Sequence, residues 1–576
     1  MVKYRESGTP VREARTLLLG IDVGGTSTDG VLMHDGALVM SVKKPSSREK
    51  LAGTILEVLD ELLEGRDPGA LRRLVISTTL VTNLLATRSG PRTALILVPG
   101  RGLPFDYFRL APDTYFLKGS IDFRGQVTEE ISPFEIEKAV AHIRAAGIRH
   151  LAVAAKFSIR NQAVEQEIVR TLRRLYPEAR VVSGSETANR MNFPRRAATA
   201  YYSAMTGEAW EEFVREIREA LRRRGIKAPV EILKADGGTM PLEVSRQNPV
   251  ETVFSGPAAS AMGAVALTRR RENAVVLDIG GTTTDIALLI EGEPLHASKG
   301  ARIHGRFTHI QALALRSLAL GGDSVVKGAA GGVEITAERA GPAACFGGPA
   351  ATVSDAFVVH LNLDLGDRAR AEEKLAAAAA GSGLEPRAFA AAVVDQTLER
   401  LSRLMQEMFR EWENEPAYKV WEIVHRRSFR LDRLVGIGGA AELVVPLLAE
   451  KMKVPGLVHR LAPVANALGA AVARPTLTVQ LYADTQQGRY LIDREGIEGP
   501  IENPASFQLE EAKKTALDWL ARLASAKGAG EYVGQARVNM AEQFNMIRGY
   551  SRVGKIFRVE VQIAPGIIDA FKGVSD

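Results

Sequence analysis

One cysteine, Cys345, stands in a chain of 576 residues. That excludes an internal disulfide and any metal centre built from several cysteines, and a reducing cytoplasm is the expected setting. Aromatic residues are scarce at 6%, so platforms on which bases stack are not expected. The formal charge of +6 does not change this. Its clusters Arg222-Arg223-Arg224 and Arg269-Arg270-Arg271 lack interleaved aromatics and close expected helices, where the helix dipole favours cations anyway. No nucleic-acid partner is expected. Apolar runs stay at strand length, which leaves no membrane span. The charged N-terminus MVKYRESGTPVREAR lacks the apolar stretch of a secretory signal. His296, His304 and His309 lie eight and five residues apart, which is no recognised zinc pattern. Cys345, in the small-residue stretch GPAACFGG, reads as a packed side chain rather than a nucleophile.

What the chain does contain is one phrase written twice. LLLGIDVGGTSTDGVLM (17–33) and AVVLDIGGTTTDIALLI (274–290) each run from an apolar strand through Asp, Gly-Gly-Thr and a hydroxyl-rich step to a second Asp. In the first copy a hairpin signal, Asp35-Gly36, follows. Both loops therefore join antiparallel strands, unlike the Rossmann and Walker loops, which lead from a strand into a helix. Further strands are predicted at 73–77, 94–98, 151–155 and 180–183, and helices at 133–146, 162–175, 193–224, 368–379, 386–413 and 506–526. This alternation specifies an α/β fold, and the length requires several domains. A composition change near Arg474-Pro475 opens an α+β appendage, 476–576.

Paired glycines let backbone approach a ligand closely and permit positive φ, so that successive N–H groups can point at one anion. The hydroxyls of Thr26, Ser27, Thr28, Thr282, Thr283 and Thr284 add donors. Asp22 and Asp278, at the strand ends, suit Mg²⁺ held through water. Two such turns facing each other would clamp a polyphosphate from both sides.

These turns resemble the two phosphate motifs of the actin and sugar-kinase superfamily of ATPases, and LVGIGGAAELVVPLLAEKM (434–452) resembles its adenosine motif. Two more selective blocks, STTLVTNLLATRSGPRTALILVPGRG (77–102) and ILKADGGTMPLEVSRQNPVETVFSGPAASAMGA (232–264), resemble the hydantoinase A/5-oxoprolinase family, with the likeness running over 16–475. The resemblance implies two actin-like (ribonuclease H-like) lobes, 16–192 and 193–475, around a nucleotide cleft, after a tail at 1–15. It implies ATP and Mg²⁺ as cofactors, with Asp22 and Asp278 catalytic and metal-holding. Nucleotide contacts would come from Gly24, Gly25, Thr26, Thr28 and Asp29 at the first turn, and from Gly280, Gly281, Thr282, Thr283, Thr284 and Asp285 at the second. Asp236, Gly237, Gly238, Ser255, Gly256 and Pro257 would close the cleft, with Gly321, Gly322, Gly438, Gly439 and Ala440 completing it. Thr78, Thr79 and Asn83 are candidates for the substrate side. The implied chemistry is ATP-dependent activation of a carbonyl or amide oxygen in a cyclic amide or ketone, for ring opening or carboxylation, with a second subunit of hydantoinase B type. Departures from the family pattern, among them Asp323 in LALGGDSVV and Ala440-Ala441-Glu442 after the adenosine glycines, suit a second reading: an actin-fold ATPase that remodels a client enzyme.

Overall fold

The computed structural model describes residues 3–4, 10–11, 17–25, 27–46, 51–188, 190–268, 270–415, 428–493, 497–571 and 573. Strand β1 (Leu17–Val23) is buried at all seven positions, the pattern of a strand covered on both faces. It turns back into β2 (Ser27–His34) and then β3 (Ala37–Pro45), both pairs antiparallel. At the second hairpin Asp35 and Gly36 take φ of 49° and 82°, the two positive values that a type I′ turn demands. Helix α1 (Leu51–Leu63) lays Ile55, Val58, Leu59 and Leu62 on the sheet and crosses to β4 (Leu71–Thr78), which runs parallel to β1.

Beyond α2 (Leu80–Ala86) the chain leaves the sheet for an inserted one. Its strands β5 (Thr93–Val98), β6 (Thr114–Phe116), β7 (His150–Ala155) and β8 (Arg180–Ser183) are parallel, in the order β8-β7-β5-β6. Helices Pro133–Ala145 and Ala163–Leu175 cover it through Ile136, Ile143, Ile168 and Leu172. The long α3 (Phe193–Arg223) then returns the chain to β9 (Val230–Leu233), parallel to β4, and to the edge strand β10 (Thr239–Pro241). The first sheet is thus β10-β9-β4-β1-β2-β3. A lobe boundary at 192/193 cuts through this body, because Trp210, Phe213 and Ile217 of α3 and Ile232 of β9 share one core with β1.

Helix α4 (Ser255–Thr268) leads to the second copy. Strand β11 (Ala274–Ile279) pairs antiparallel with β12 (Thr284–Ile290), which also pairs with β13 (Leu315–Leu318). On its other side β11 is parallel to β14 (Arg433–Ile437); helix α5 (Ala441–Met452) crosses to β15 (Gly456–Val458), parallel to β14. A central strand ending in Asp, an antiparallel neighbour on one side and a parallel one on the other are common to both sheets. Both lobes are α/β units built on this shared plan.

Between the lobes lie α4 and α6 (Ala465–Val472). They approach so closely that a Cβ on Gly263 would strike the Ala465 carbonyl, and one on Gly469 the Ala259 carbonyl. Gly20 does the same for α6 against β1, facing the carbonyl of Ala467. The chain then builds an antiparallel sheet from β16 (Leu477–Asp484), Arg489–Ile492, Ile497–Pro500, β17 (Arg537–Arg548) and β18 (Ser551–Ile563). Helix α7 (Leu509–Ala526) packs Ala512, Ala516 and Leu520 on Val479, Phe557 and Val559 of that sheet. No described helix is long and apolar enough to cross a membrane.

Candidate functional site

Register places the acidic groups. Asp22 on β1 stands opposite Asp29 on β2 and Ser77 on β4; Asp278 on β11 stands opposite Asp285 on β12. The two turns close alike: the Gly24 N–H donates to the Ser27 carbonyl at 2.9 Å, and the Gly280 N–H to the Thr283 carbonyl at 3.0 Å. Positive φ is not what these glycines supply, since neither pair adopts it; Gly237 and Gly438 do, at 83° and 84°. What the turns need is space. A Cβ on Gly281 would lie 2.5 Å from Asp323 Oδ2, whereas one on Gly25 would meet nothing within 4 Å. Thr26 lies outside the described residues.

The two aspartates meet across the cleft. Asn466, near the start of α6, donates Nδ2 to Asp278 Oδ2 at 3.1 Å and also hydrogen-bonds Asp22. Ser260 of α4 donates to the same Asp278 oxygen at 2.5 Å. Burial pushes the Asp22 carboxyl up to about 7; hydrogen bonds from Ser77 and Asn466 oppose the shift, and Asp29 and Asp278 reinforce it. Its Oδ1 is buried without a hydrogen bond. Asp285 is likewise raised to about 7, by burial and then by Asp278, with Ser317 opposing. Burial also raises Asp29, although Lys43 Nζ holds its two oxygens at 2.8 and 2.9 Å. The carboxylates stand as two register pairs, Asp22 with Asp29 and Asp278 with Asp285; Asp22 is reluctant to ionise and keeps an orphaned oxygen, a group that a cation would stabilise. Among the described residues no three His, Cys, Asp or Glu side chains are grouped to hold an ion. Mg²⁺ with few carboxylates and several waters fits this donor set.

Around the second turn the expected small residues gather. Gly322 and Asp323 donate their N–H groups to the carbonyls of Gly280 and Gly281 at 2.9 and 2.7 Å, and Thr284 Oγ1 donates to Leu320 O at 2.7 Å. Ala440 N–H reaches Ile279 O at 3.0 Å, and a Cβ on Gly438 would lie 2.5 Å from Asp278 Oδ1. Gly321 packs on the Gly280–Gly281 backbone, and the space beside Gly439 is open. At the first turn Thr28 Oγ1 pairs with Ser46 Oγ at 2.9 Å. Ser255, Gly256 and Pro257 begin α4 beside the end of β4, with Ser255 Oγ donating to Thr78 O at 2.9 Å. Thr78, Thr79 and Asn83 are tied into the start of α2: Thr78 Oγ1 accepts from Leu80 N–H, and Asn83 Nδ2 donates to Thr79 Oγ1.

Asp236, Gly237 and Gly238 do not join this set. They form the β9–β10 turn, where Asp236 accepts from Lys234 Nζ at 3.1 Å, Thr476 Oγ1 at 2.9 Å and Gly238 N–H at 2.9 Å. Burial would raise its carboxyl, but Lys234 and these donors hold it below the ordinary value. Gly237 packs on Met262 and Leu313, and Asp236 lines a separate cavity of about 440 Å³ shared with Gln311 and Thr478. The three histidines are dispersed: His304 contacts Leu85 O at 2.8 Å, His309 contacts Asn192 O at 3.4 Å, and His296 lies near Asp236. Burial and the adjacent Asp355 push the Cys345 thiol up to about 12, far from a thiolate. Asn466, Ser77 and Ser260 were not singled out in the sequence. Asn466 offered a signal, as the one polar side chain in the helix ANALGAAV.

The family model described as hydantoinase/oxoprolinase matches residues 196–479, and that of the hydantoinase/oxoprolinase N-terminal region matches 18–176. Caprolactamase subunit alpha of Pseudomonas jessenii is 25% identical over 337 residues, 53% of this chain and 48% of that protein. The acetophenone carboxylase gamma subunit of Aromatoleum aromaticum is 25% identical over 397 residues, 60% of this chain and 53% of that protein. The chain spans about half the length of these curated relatives. A nucleotide-free structure of acetone carboxylase shares the fold, with a TM-score of 0.72 at 18% identity over 97% of this chain and 88% of that one. With both family models matched in order along the chain and each covering one of the duplicated Asp-x-Gly-Gly turns, the chain belongs to the hydantoinase/oxoprolinase family.

Proposed function

We propose that the chain is an ATP- and Mg²⁺-dependent subunit that activates a carbonyl or amide oxygen of a cyclic amide or ketone and works with a second protein subunit. The observation that carries this is the meeting of Asp22 and Asp278 through Asn466, each beside a turn closed by the same Gly N–H bond. The names of relatives support it: caprolactamase is described as ATP-dependent, and the caprolactamase and acetophenone carboxylase chains are named as subunits. Bound ATP would supply the phosphoryl group that turns a poor oxygen leaving group into a good one. The chain's own part is positioning. Backbone at Gly25 and Gly439 leaves room for close approach, and Asp22 and Asp278 would hold Mg²⁺ through water. Asn466 and Ser260 orient the Asp278 carboxylate, and Lys43 steadies Asp29.

The test is ATP hydrolysis by the full chain, alone and with hydantoin, oxoproline, caprolactam or acetone, in the presence and absence of a co-expressed second subunit. Turnover stimulated by one of these substrates is expected. Stimulation only by a protein, with none of the small molecules consumed, would replace this reading with the client-remodelling one.

A further inference from the structure

Where the insertion, the second lobe and the C-terminal sheet meet, a cavity of about 280 Å³ opens, remote in its lining from the aspartates of the cleft. Arg190 and Arg195 come from the approach to α3 and its start, Lys299 from the loop after β12, and Gln562 from β18. Its inner part is polar and buried: Thr308 is 1% exposed, Gln562 6% and His309 9%. Arg190 Nε is held by Asp493 at 2.7 Å, yet its Nη2 is buried and makes no hydrogen bond. Glu560 is the carboxylate lining the cavity, 3.8 Å from that Nη2, and it already accepts from Gln480 and Asn539. Lys299 and Arg195, both set over the ring of Phe307, stand on the more exposed side. A buried guanidinium N–H without an acceptor is a group that an oxyanion satisfies, and a fork of donors suits carboxylate or phosphate.

We propose that this cavity binds the oxyanion head of a small ligand, a carboxylate or a phosphate, on Arg190, with Lys299 and Arg195 drawing it in. The site does not depend on the nucleotide reading. Its walls come from three bodies, so an occupant would fasten the C-terminal sheet to both the inserted sheet and the second lobe.

Isothermal titration calorimetry on the full chain with malonate and with inorganic phosphate tests this. Saturable binding of one or both is expected, weakened at least tenfold in Lys299→Gln and in Arg195→Gln and retained in Asp22→Asn. Those two cations are partly or largely exposed, so their variants keep the fold, which thermal melting verifies. Arg190→Lys, which keeps charge but loses the planar fork, should also weaken binding. Binding of malonate alone identifies a carboxylate ligand, and of phosphate alone a phosphate one. Heat that is absent for both anions, unchanged in the Lys299 and Arg195 variants, or lost in Asp22→Asn overturns the proposal.

Discussion

At the scale of single residues, the proposed ATPase rests on Asp22 and Asp278. Asp22→Asn and Asp278→Asn should each lower ATP hydrolysis at least about tenfold, near 1.4 kcal/mol in the barrier, without altering the fold. Turnover assays beside circular dichroism decide it, and wild-type rates in both variants would sink the assignment. Glycine substitutions separate space from ligand contact. Gly281→Val drives a side chain into Asp323, only 2.5 Å from an ideal Cβ, so both melting temperature and affinity for an ATP analogue should fall. Gly25→Ala meets nothing in the free protein, so it should weaken the analogue while leaving melting unchanged. His309 is one residue through which acid acts. Burial first, and then Arg190 and Arg196, hold its pKa down to about 3 despite Asp493 and a hydrogen bond to Asn192 O. The unfolded state therefore takes up the proton at higher pH, and the stability present above the ordinary 6.5 is lost as pH falls toward 3. By pH 5 this amounts to about 2 kcal/mol. Denaturant titrations at pH 7 and pH 5 should show a smaller loss in His309→Gln than in the wild type, and equal losses would contradict the argument.

Elements were legible where a local signal matched its surroundings. Helices Arg368–Ala379 and Pro386–Glu413 follow the sequence periodicity, and Asp35-Gly36 forms the hairpin that its composition demands. The Asp-Gly-Gly turn at 236–238 was legible as a turn but not as to place. Its local pattern resembles the cleft turns, yet β9 lies two strands from β1, and its packing on Met262, Leu313 and Thr476 directs it to another cavity. Asn466 was hidden for the opposite reason: only the crossing of α4 and α6 carries it to aspartates nearly 190 and 450 residues away in sequence. That crossing has no room to spare. Gly263→Val sets a branched side chain against the Ala465 backbone, which cannot move like a flexible side chain. A loss of about 3 kcal/mol or more follows, beyond ordinary overpacking. Thermal melting checks it, with Gly207→Ala, where an added Cβ meets nothing within 4 Å, as the comparison.

For the whole molecule, two lobes that meet at a tight pair of helices and carry opposed turns would act as a hinge. A γ-phosphate touched by both turns would be gripped fully only with the lobes closed, so an ATP analogue should favour that state and ADP should favour it less. Small-angle scattering should show the radius of gyration falling with a non-hydrolysable analogue and falling less with ADP; superimposable curves would mean a rigid cleft. The same helices impose an order on synthesis. Gly20 is shaped to receive Ala467 and Ala471, which leave the ribosome about 450 residues later, roughly half a minute or more at common elongation rates. Throughout that interval one face of the first sheet to be made lies bare, and any fragment that stops before residue 465 leaves it so permanently. The nascent chain thus carries an uncovered apolar sheet face during most of its own translation, and the docking of the last helix between the lobes is what closes it.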